Sequence, residues 1–269
     1  MRQAISVVMA VPRGLAEPEE ARLAFLDELE VPLGDELILE RGETGAILVP
    51  ELWRRGIEKS RGEIVALTLS SMIPKPGWAA VVRRSLEGQF AGVGGAIEPA
   101  PDMRPLDWAI HLARYSGYLL PFEAGEAEDL PGDNAAYRRA AIEACRPVWA
   151  KGFWETEVDA WLRRRGDALI LTPEMVVRQG RSLGFLRFCS NRLRHGIRSG
   201  RERAKKFSLA GRAARAIAFP AAAAVMLQRI ARLARSRGRS EGFRRGRTRL
   251  AVFLLLWTIG EGIGYLRGR

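Results

Sequence analysis

Apolar and polar positions in the first half of the chain set up a strand–helix rhythm. Ala4 to Val11, AISVVMAV, is apolar on both faces, the pattern of a central parallel strand covered from two sides. Glu17 to Leu29 puts Leu23, Phe25, Leu26 and Leu29 on one side with Pro18 near the first turn, which predicts an amphipathic helix. Glu36 to Glu40, ELILE, reads as a second strand stopped by Arg41-Gly42, and Glu51 to Ser60 as a second helix. Glu63 to Leu69 is a buried third strand that ends in Ser70-Ser71. Pro74 to Gly77 turns the chain, and Trp78 opens a helix that runs to Leu86. Ala91 to Glu98, AGVGGAIE, is a strand whose glycines admit a close backbone. This order predicts βαβ units and a mostly parallel sheet flanked by helices.

The second half is less regular. Pro105 to Leu120 is helical in pattern and carries Trp108, Tyr115 and Tyr118. Their helical spacing favours core packing over a stacking platform. Phe122 to Asp129 is an acidic loop, Leu130 to Asn134 a turn, and Ala135 to Cys145 a helix. Gly152 to Gly166 starts as a loop and becomes a helix with Gly166 as its terminating glycine. Ala168 to Thr172 is the last strand. Beyond Val177 the character changes. Phe185 to Lys206 is an arginine-dense helix. Ala216 to Gln228 and Leu250 to Leu266 are apolar, joined by a basic link from Arg232 to Arg249 that contains Gly238, Gly242 and Gly246. Both apolar runs fall short of the roughly 20 residues of a full transmembrane helix, and the first contains Pro220. They suit a shallow hairpin, a helix in the interface or a span of a thin bilayer. The expected organisation is an α/β domain over residues 1–178 and a basic helical tail over 179–269.

Charge sharpens that division. Residues 178–269 hold 23 Lys/Arg and 3 Asp/Glu, while residues 1–177 hold 20 Lys/Arg and 28 Asp/Glu. An acidic body with a basic tail directs the tail to polyanions, either lipid headgroups or nucleic acid. The tail's arginines flank apolar runs, and no interleaving of aromatic and basic residues makes a nucleic-acid reading module. An anionic membrane surface is therefore the expected partner and nucleic acid is not. Cys145 and Cys189 are far apart, and His111 and His195 stand alone. This suggests neither a disulfide framework nor a zinc site, and fits a reduced cytoplasmic setting. The apolar run after Arg2 leads to Pro12-Arg13 rather than to a small-residue cleavage site, so a buried strand is expected there and not a signal sequence.

Five stretches in order resemble the GT-A fold glycosyltransferases of family 2, many of them bacterial enzymes of cell-envelope polysaccharide synthesis. The first strand ends at Pro12, where the family begins its nucleotide loop. Pro74, Pro76, Gly77 and Trp78 match the family's P-x-P-G-W. LPGDNAAYRR, Leu130 to Arg139, resembles the block beside acceptor and donor sugar. WETEVDAWLRRRG, Trp154 to Gly166, resembles the block that supplies the catalytic base. GEGIGYLRG, Gly260 to Gly268, looks like a membrane-proximal tail. The resemblance implies an inverting sugar transfer from a nucleotide-sugar donor to a lipid-linked or saccharide acceptor, on the cytoplasmic face of the inner membrane.

The resemblance also implies site residues. Glu155, with Glu157 in reserve, takes the place of the base; the plainer reading is a pair of acids complementing a helix N-terminus. Asp133, Asn134 and Trp154 would meet sugar or acceptor, while Asn134 also suits the N-cap of a helix from Ala135. Pro12, Glu40, Ser70, Ser71 and Arg178 would line the nucleotide side, with Arg181 beside Arg178. Glu40 otherwise reads as a solvated loop charge, the serines as turn residues, and Arg178 as part of a basic face. One departure stands out. The family's Asp-x-Asp falls on Leu69-Ser70-Ser71, and its late histidine on Arg178-Gln179. No metal cofactor is expected from these residues, since hydroxyls are poor ligands for a hard divalent cation. The alternative function is a catalytically silent GT-A-like protein that binds or assembles at the membrane.

Overall fold

The computed structural model describes residues 2–268 apart from 14, 16–18, 43–46 and 181–182. In chain order the elements are β1 (Ile5–Val11), α1 (Glu19–Glu28), β2 (Glu36–Arg41), α2 (Val49–Lys59), β3 (Ile64–Leu69), β4 (Met72–Pro74), α3 (Trp78–Leu86), β5 (Gly92–Pro99) and α4 (Pro105–Tyr115). There follow β6 (Gly125–Glu126), β7 (Asn134–Arg138), α5 (Arg139–Ala144), α6 (Arg146–Trp149), α7 (Glu155–Arg165) and β8 (Leu169–Gln179). The last four are α8 (Phe185–Ala204), α9 (Leu209–Ile217), α10 (Phe219–Ser236) and α11 (Ser240–Arg267). The expected helix from Glu17 begins outside the described residues, and so does Arg181.

The chain forms two compact units. The first is Met1–Ala100 with Tyr118–Arg181; the second is Pro101–Gly117 with Ser182–Arg269. The expected boundary at residue 178 misses α4, which belongs with the C-terminal helices although the rhythm around it is that of the α/β domain.

The first unit is built on a sheet of order β2-β1-β3-β7-β5-β8-β4, with β6 on β8. β1 pairs in parallel with β2 and β3, and β5 with β8. β7 runs antiparallel between β3 and β5, and β4 and β6 are antiparallel to β8. Five strands thus share one direction, but the sheet is mixed. Every residue of β1 and β3 is buried, as their unbroken apolar runs require. Asp35 anchors the start of β1: its carboxylate accepts from the backbone N–H of Ile5 (2.8 Å) and Glu30 (2.9 Å), from Arg2 (2.7 Å) and from Arg83. Burial pushes this carboxyl up, but those donors and the Arg83 charge more than offset it and hold it below its ordinary value.

Two segments of the first unit depart from the expectation. Residues 135–138, expected as the start of a helix, belong to β7, and the helix begins only at Arg139. Ala135 and Ala136 are good helix formers, but the slot between β3 and β5 takes small buried side chains, and tertiary context overrides propensity. The last strand runs on past Thr172 to Gln179 through an irregularity opposite Gly95/Ala96. Gly95 is required there: a Cβ would lie 1.8 Å from the Met175 carbonyl oxygen. Gly166 closes α7 in the left-handed conformation, φ 93°, as expected.

The helical unit is held together by small residues. On α8, Gly196 and Gly200 meet the backbone of α11 at Trp257 and Glu261; on α11, Gly260 and Gly264 meet Leu193, Gly196, Ile197 and Gly200. A Cβ at Gly264 would lie 2.4 Å from the Ile197 oxygen. Further back on α11, Gly242 and Gly246 receive Trp108 and Ala109 of α4. Spacing of four keeps these glycines on one helical face, the arrangement that lets helix backbones approach. Two expectations change here. The basic link from Arg232 is helical on both sides of a turn at Gly238, and nearly half of the most apolar stretch of α11 is buried inside the unit. Pro220 sits in the first turn of α10, just past the 61° bend that separates α9 from α10. By contrast, α9 buries no residue, and Leu209, Ile217 and Val225 of the bent α9–α10 pair are largely exposed.

Candidate active site

In open α/β sheets, ligands bind outside the carboxyl ends of the parallel strands. Here those ends are drawn together by backbone bonds: Ser70 N–H donates to the Ala10 oxygen (3.0 Å), and Gly42 N–H to the Val11 oxygen (3.1 Å). Pro12, the end of β2 and Ser70-Ser71 therefore form one edge. Gly180 N–H donates to the Ser71 oxygen (2.8 Å), and Gln179 pairs with Met72. The two places where the family resemblance sets metal ligands, Ser70-Ser71 and Arg178-Gln179, are thus neighbours on the β4–β8 ladder.

The loop from Leu130 to Asn134 reaches the same edge, because Asn134 lies opposite Thr68 of β3. The Asn134 side chain is completely buried. Its Oδ1 accepts from the Trp78 indole N–H (2.9 Å), and its Nδ2 donates to the carbonyls of Ala96 (3.0 Å) and Met175 (3.0 Å). An indole N–H can only donate, which fixes the amide orientation. The N-cap reading of Asn134 is corrected: it lies in β7 and caps no helix, and its amide ties the P-x-P-G-W tryptophan to β5 and β8. Asp133 beside it is buried.

Glu155 is the first residue of α7 and partly buried. Its carboxyl carbon and the Trp53 ring converge on Gly132: a Cβ placed there would lie 3.1 Å from the former and 2.9 Å from the latter. Trp53 in turn donates its indole N–H to the Thr68 oxygen (3.0 Å), and Phe153 N–H donates to the Pro50 oxygen (2.7 Å). These bonds strap the entry of α7, including Trp154, to α2 and β3. Glu157 lies two residues on, about 200° around the helix, and does not share this face.

Asp159, one turn beyond Glu155, was not singled out by the sequence. It is fully buried and accepts from Leu130 N–H (2.8 Å) and the Tyr137 hydroxyl (2.9 Å). Burial, with help from Glu155 and Asp129, pushes its carboxyl up to about 8 against the pull of those two donors. Burial also raises the Tyr118 phenol, reinforced by Asp129, Asp159 and Glu155. Of the three aromatics expected to pack together, only Tyr118 is in this unit. The signal available in the sequence was the i, i+4 spacing of Glu155 and Asp159, which puts both carboxylates on one face.

The remaining expected residues divide. Glu40 is buried and ion-paired with Lys59 at the end of α2, so its side chain belongs to the β2–α2 packing and is not a solvated loop charge. Arg178 is exposed, in register with Ile73 and Glu98. Ser70 Oγ and Thr68 Oγ1 are buried without a hydrogen-bond partner among the described residues, a costly state for a hydroxyl inside a protein. Divalent-metal chemistry does not fit this donor set. The groups at the end of β3 are neutral hydroxyls, and among the described residues no three His, Cys, Asp or Glu side chains come together.

No protein-family model matches the sequence, and no curated relative matches it. Solved structures do. The mannosyltransferase PcManGT from Pyrobaculum calidifontis, in complex with GDP-Man and Mn2+, is 16% identical with a TM-score of 0.52; the match covers 99% of this chain and 88% of that one. GalNAc-T7, with UDP, GalNAc and Mn2+, is 12% identical with a TM-score of 0.45, covering 67% of this chain and 44% of that one. S. aureus TarS, in complex with UDP-GlcNAc, is 10% identical with a TM-score of 0.46, covering 67% and 59%. This chain thus spans less than half the length of GalNAc-T7. The sheet, its carboxyl edge and the likeness to PcManGT define the class: the chain has the GT-A glycosyltransferase fold.

Proposed function

We propose that the protein moves a sugar from a nucleotide-sugar donor to a lipid-linked or saccharide acceptor at the cytoplasmic face of a membrane, with inversion at the anomeric carbon. The observation that carries this reading is the position of the Glu155 carboxylate against Gly132, in the loop that leads through Asp133 to the end of β3. Glu155 removes the proton from the acceptor hydroxyl as that oxygen attacks the anomeric carbon, and the bond from that carbon to the diphosphate oxygen breaks. Asp133 and Trp154 meet the reacting sugars. Pro12, Ser70 and Ser71 line the donor side. Arg178, on the strand beside Ser71, supplies positive charge for the departing diphosphate, a group its planar fork suits.

The basic helical unit is the part that meets anionic lipid, through the exposed apolar residues Leu209, Ile217 and Val225 and the arginines around them. The full chain should float with anionic vesicles at low salt, and failure to do so removes the membrane from the reading. A panel of UDP-, GDP- and dTDP-sugars titrated calorimetrically, in EDTA and in Mn2+, tests the donor site. Binding that survives EDTA is expected. Binding only with Mn2+ would overturn the arginine account and leave sugar transfer standing. The carboxylate-free end of β3 favours one other reading, a silent GT-A-like binding protein, and binding of no nucleotide-sugar in either condition would install it.

A further inference from the structure

The helical unit holds 23 Lys and Arg against five Asp and Glu. Four of those acids are engaged by cations near them: Asp107 by Arg104, Glu202 by Lys205, Glu241 by Arg244 and Glu261 by Arg203. The cations left over are not spread evenly. On α11, Arg245, Arg247 and Arg249 run directly into the apolar stretch from Leu250 to Trp257.

A cleft of about 680 Å3 opens at that junction, lined by Leu106, Phe185, Thr248, Arg249 and Val252. Its size falls within the roughly 300–1,000 Å3 of small-molecule sites. Packing fixes its walls. α11 lies against α4, where Gly246 admits Ala109, and against the start of α8, where the rings of Phe185 and Phe253 are 5.4 Å apart. Leu106 stands in the first turn of α4, and Phe185 is the first residue of α8.

Three of the five lining residues are apolar, yet Phe185 and Val252 each keep 36% of their surface open. Leu255 follows Val252 at a spacing of three and extends the same exposed face. Thr248 and Arg249 are exposed, and Arg249 makes no ion pair among the described residues. An apolar trough beside one hydroxyl and one guanidinium is complementary to an amphiphile. Hydrocarbon covers the walls, and an anionic head meets the forked guanidinium and the hydroxyl. A basic run leading into an apolar one on a single helix is the layout of a segment at a membrane interface, which favours a lipid over a protein occupant.

We propose that this cleft binds one molecule of an anionic phospholipid, with an acyl chain along Leu106, Phe185 and Val252 and the phosphate at Arg249. The site uses other residues than the exposed α9–α10 side chains, and it stands whether or not the chain transfers sugar.

The test titrates the full chain calorimetrically, at constant ionic strength, with short-chain lipids below their micellar concentrations. Dihexanoyl phosphatidic acid should bind at one site per chain and more tightly than dihexanoyl phosphatidylcholine. It should also exceed dibutanoyl phosphatidic acid, by severalfold for each further CH2 that is buried. Arg249→Gln should weaken binding of the acid about tenfold, the scale of one charge-assisted hydrogen bond. Val252→Trp should abolish saturable binding by filling the cleft, whereas plain adsorption to an apolar face would rise with the larger side chain. Arg164→Gln on α7 removes the same charge from the sheet unit and should change nothing. Should the variants fail to fold, the wild-type dependence on chain length and headgroup decides. No saturable binding, equal affinity for the two headgroups, no gain with chain length, or binding undiminished in Val252→Trp would overturn the proposal. So would a dimer that forms with rising concentration and is lost in Val252→Trp, which would give the cleft to a second copy of the chain.

Discussion

The two units solve the same problem, a stable interior, with opposite chemistry. In the sheet unit, buried polar groups are matched donor to acceptor: four donors on Asp35, three bonds on Asn134, two donors on Asp159. In the helical unit, backbones touch across Gly196, Gly200, Gly260 and Gly264, and the charged groups are overwhelmingly of one sign. Directional bonds fix loops to a fraction of an ångström, which a reaction centre needs. Contact between smooth helix faces demands only that side chains be absent, and leaves cations available for partners.

That contrast can be broken at several points. The largest effect should come from Asn134→Ala, which orphans the Trp78 N–H and the carbonyls of Ala96 and Met175. At roughly 1–3 kcal/mol per buried group, the loss is on the order of 4 kcal/mol, visible as a drop in the urea midpoint read from tryptophan fluorescence. Asn134→Asp should do no better, because a carboxylate cannot donate to the two carbonyls. Next, Glu155→Gln should lower kcat about 100-fold or more and leave donor binding intact. An equal loss of donor affinity would show that Glu155 holds the loop and does not act on the acceptor.

In the helical unit, Gly264→Leu should cost about 1–3 kcal/mol by overpacking, measured by thermal melting. Gly184→Ala, where a Cβ meets nothing within 4 Å, serves as the silent control. The last effect is one of slope. The Asp159 carboxyl titrates at about 8 in the folded chain and at about 4 when unfolded. Between those values the folded state holds the extra proton. The contribution of Asp159 is therefore fully present below about pH 4 and is lost as pH rises through about 8, at no more than about 1.4 kcal/mol per pH unit. Asp159→Asn should flatten the stability profile over that window, and parallel profiles would refute the assignment.

Much of this was legible in the residues. β1 and β3 announced themselves by unbroken apolar runs, and the turn before Trp78 by Pro74, Pro76 and Gly77. The Glu155 helix and its Gly166 end were also visible. β7 was not, because Ala135 and Ala136 carry no strand signal and only the slot between β3 and β5 makes them one. The role of Asn134 was hidden for a related reason: its three partners come from α3, β5 and β8, far apart in sequence. Glu40 read as a loop charge because Lys59 is 19 residues away. The affiliation of α4 was invisible, since an amphipathic stripe states that a face is covered and not by which helix.

That affiliation has a consequence for how the chain is made. α4 leaves the ribosome more than a hundred residues before Gly242 and Gly246, the positions on α11 that receive Trp108 and Ala109. At about 5–20 residues per second, the nascent polypeptide carries that apolar stripe uncovered for on the order of ten seconds. A truncation after residue 178 makes the delay permanent. A sheet unit produced alone should therefore lack residues 101–117 as well, with a short linker in their place, or it will aggregate through a helix whose seat was deleted.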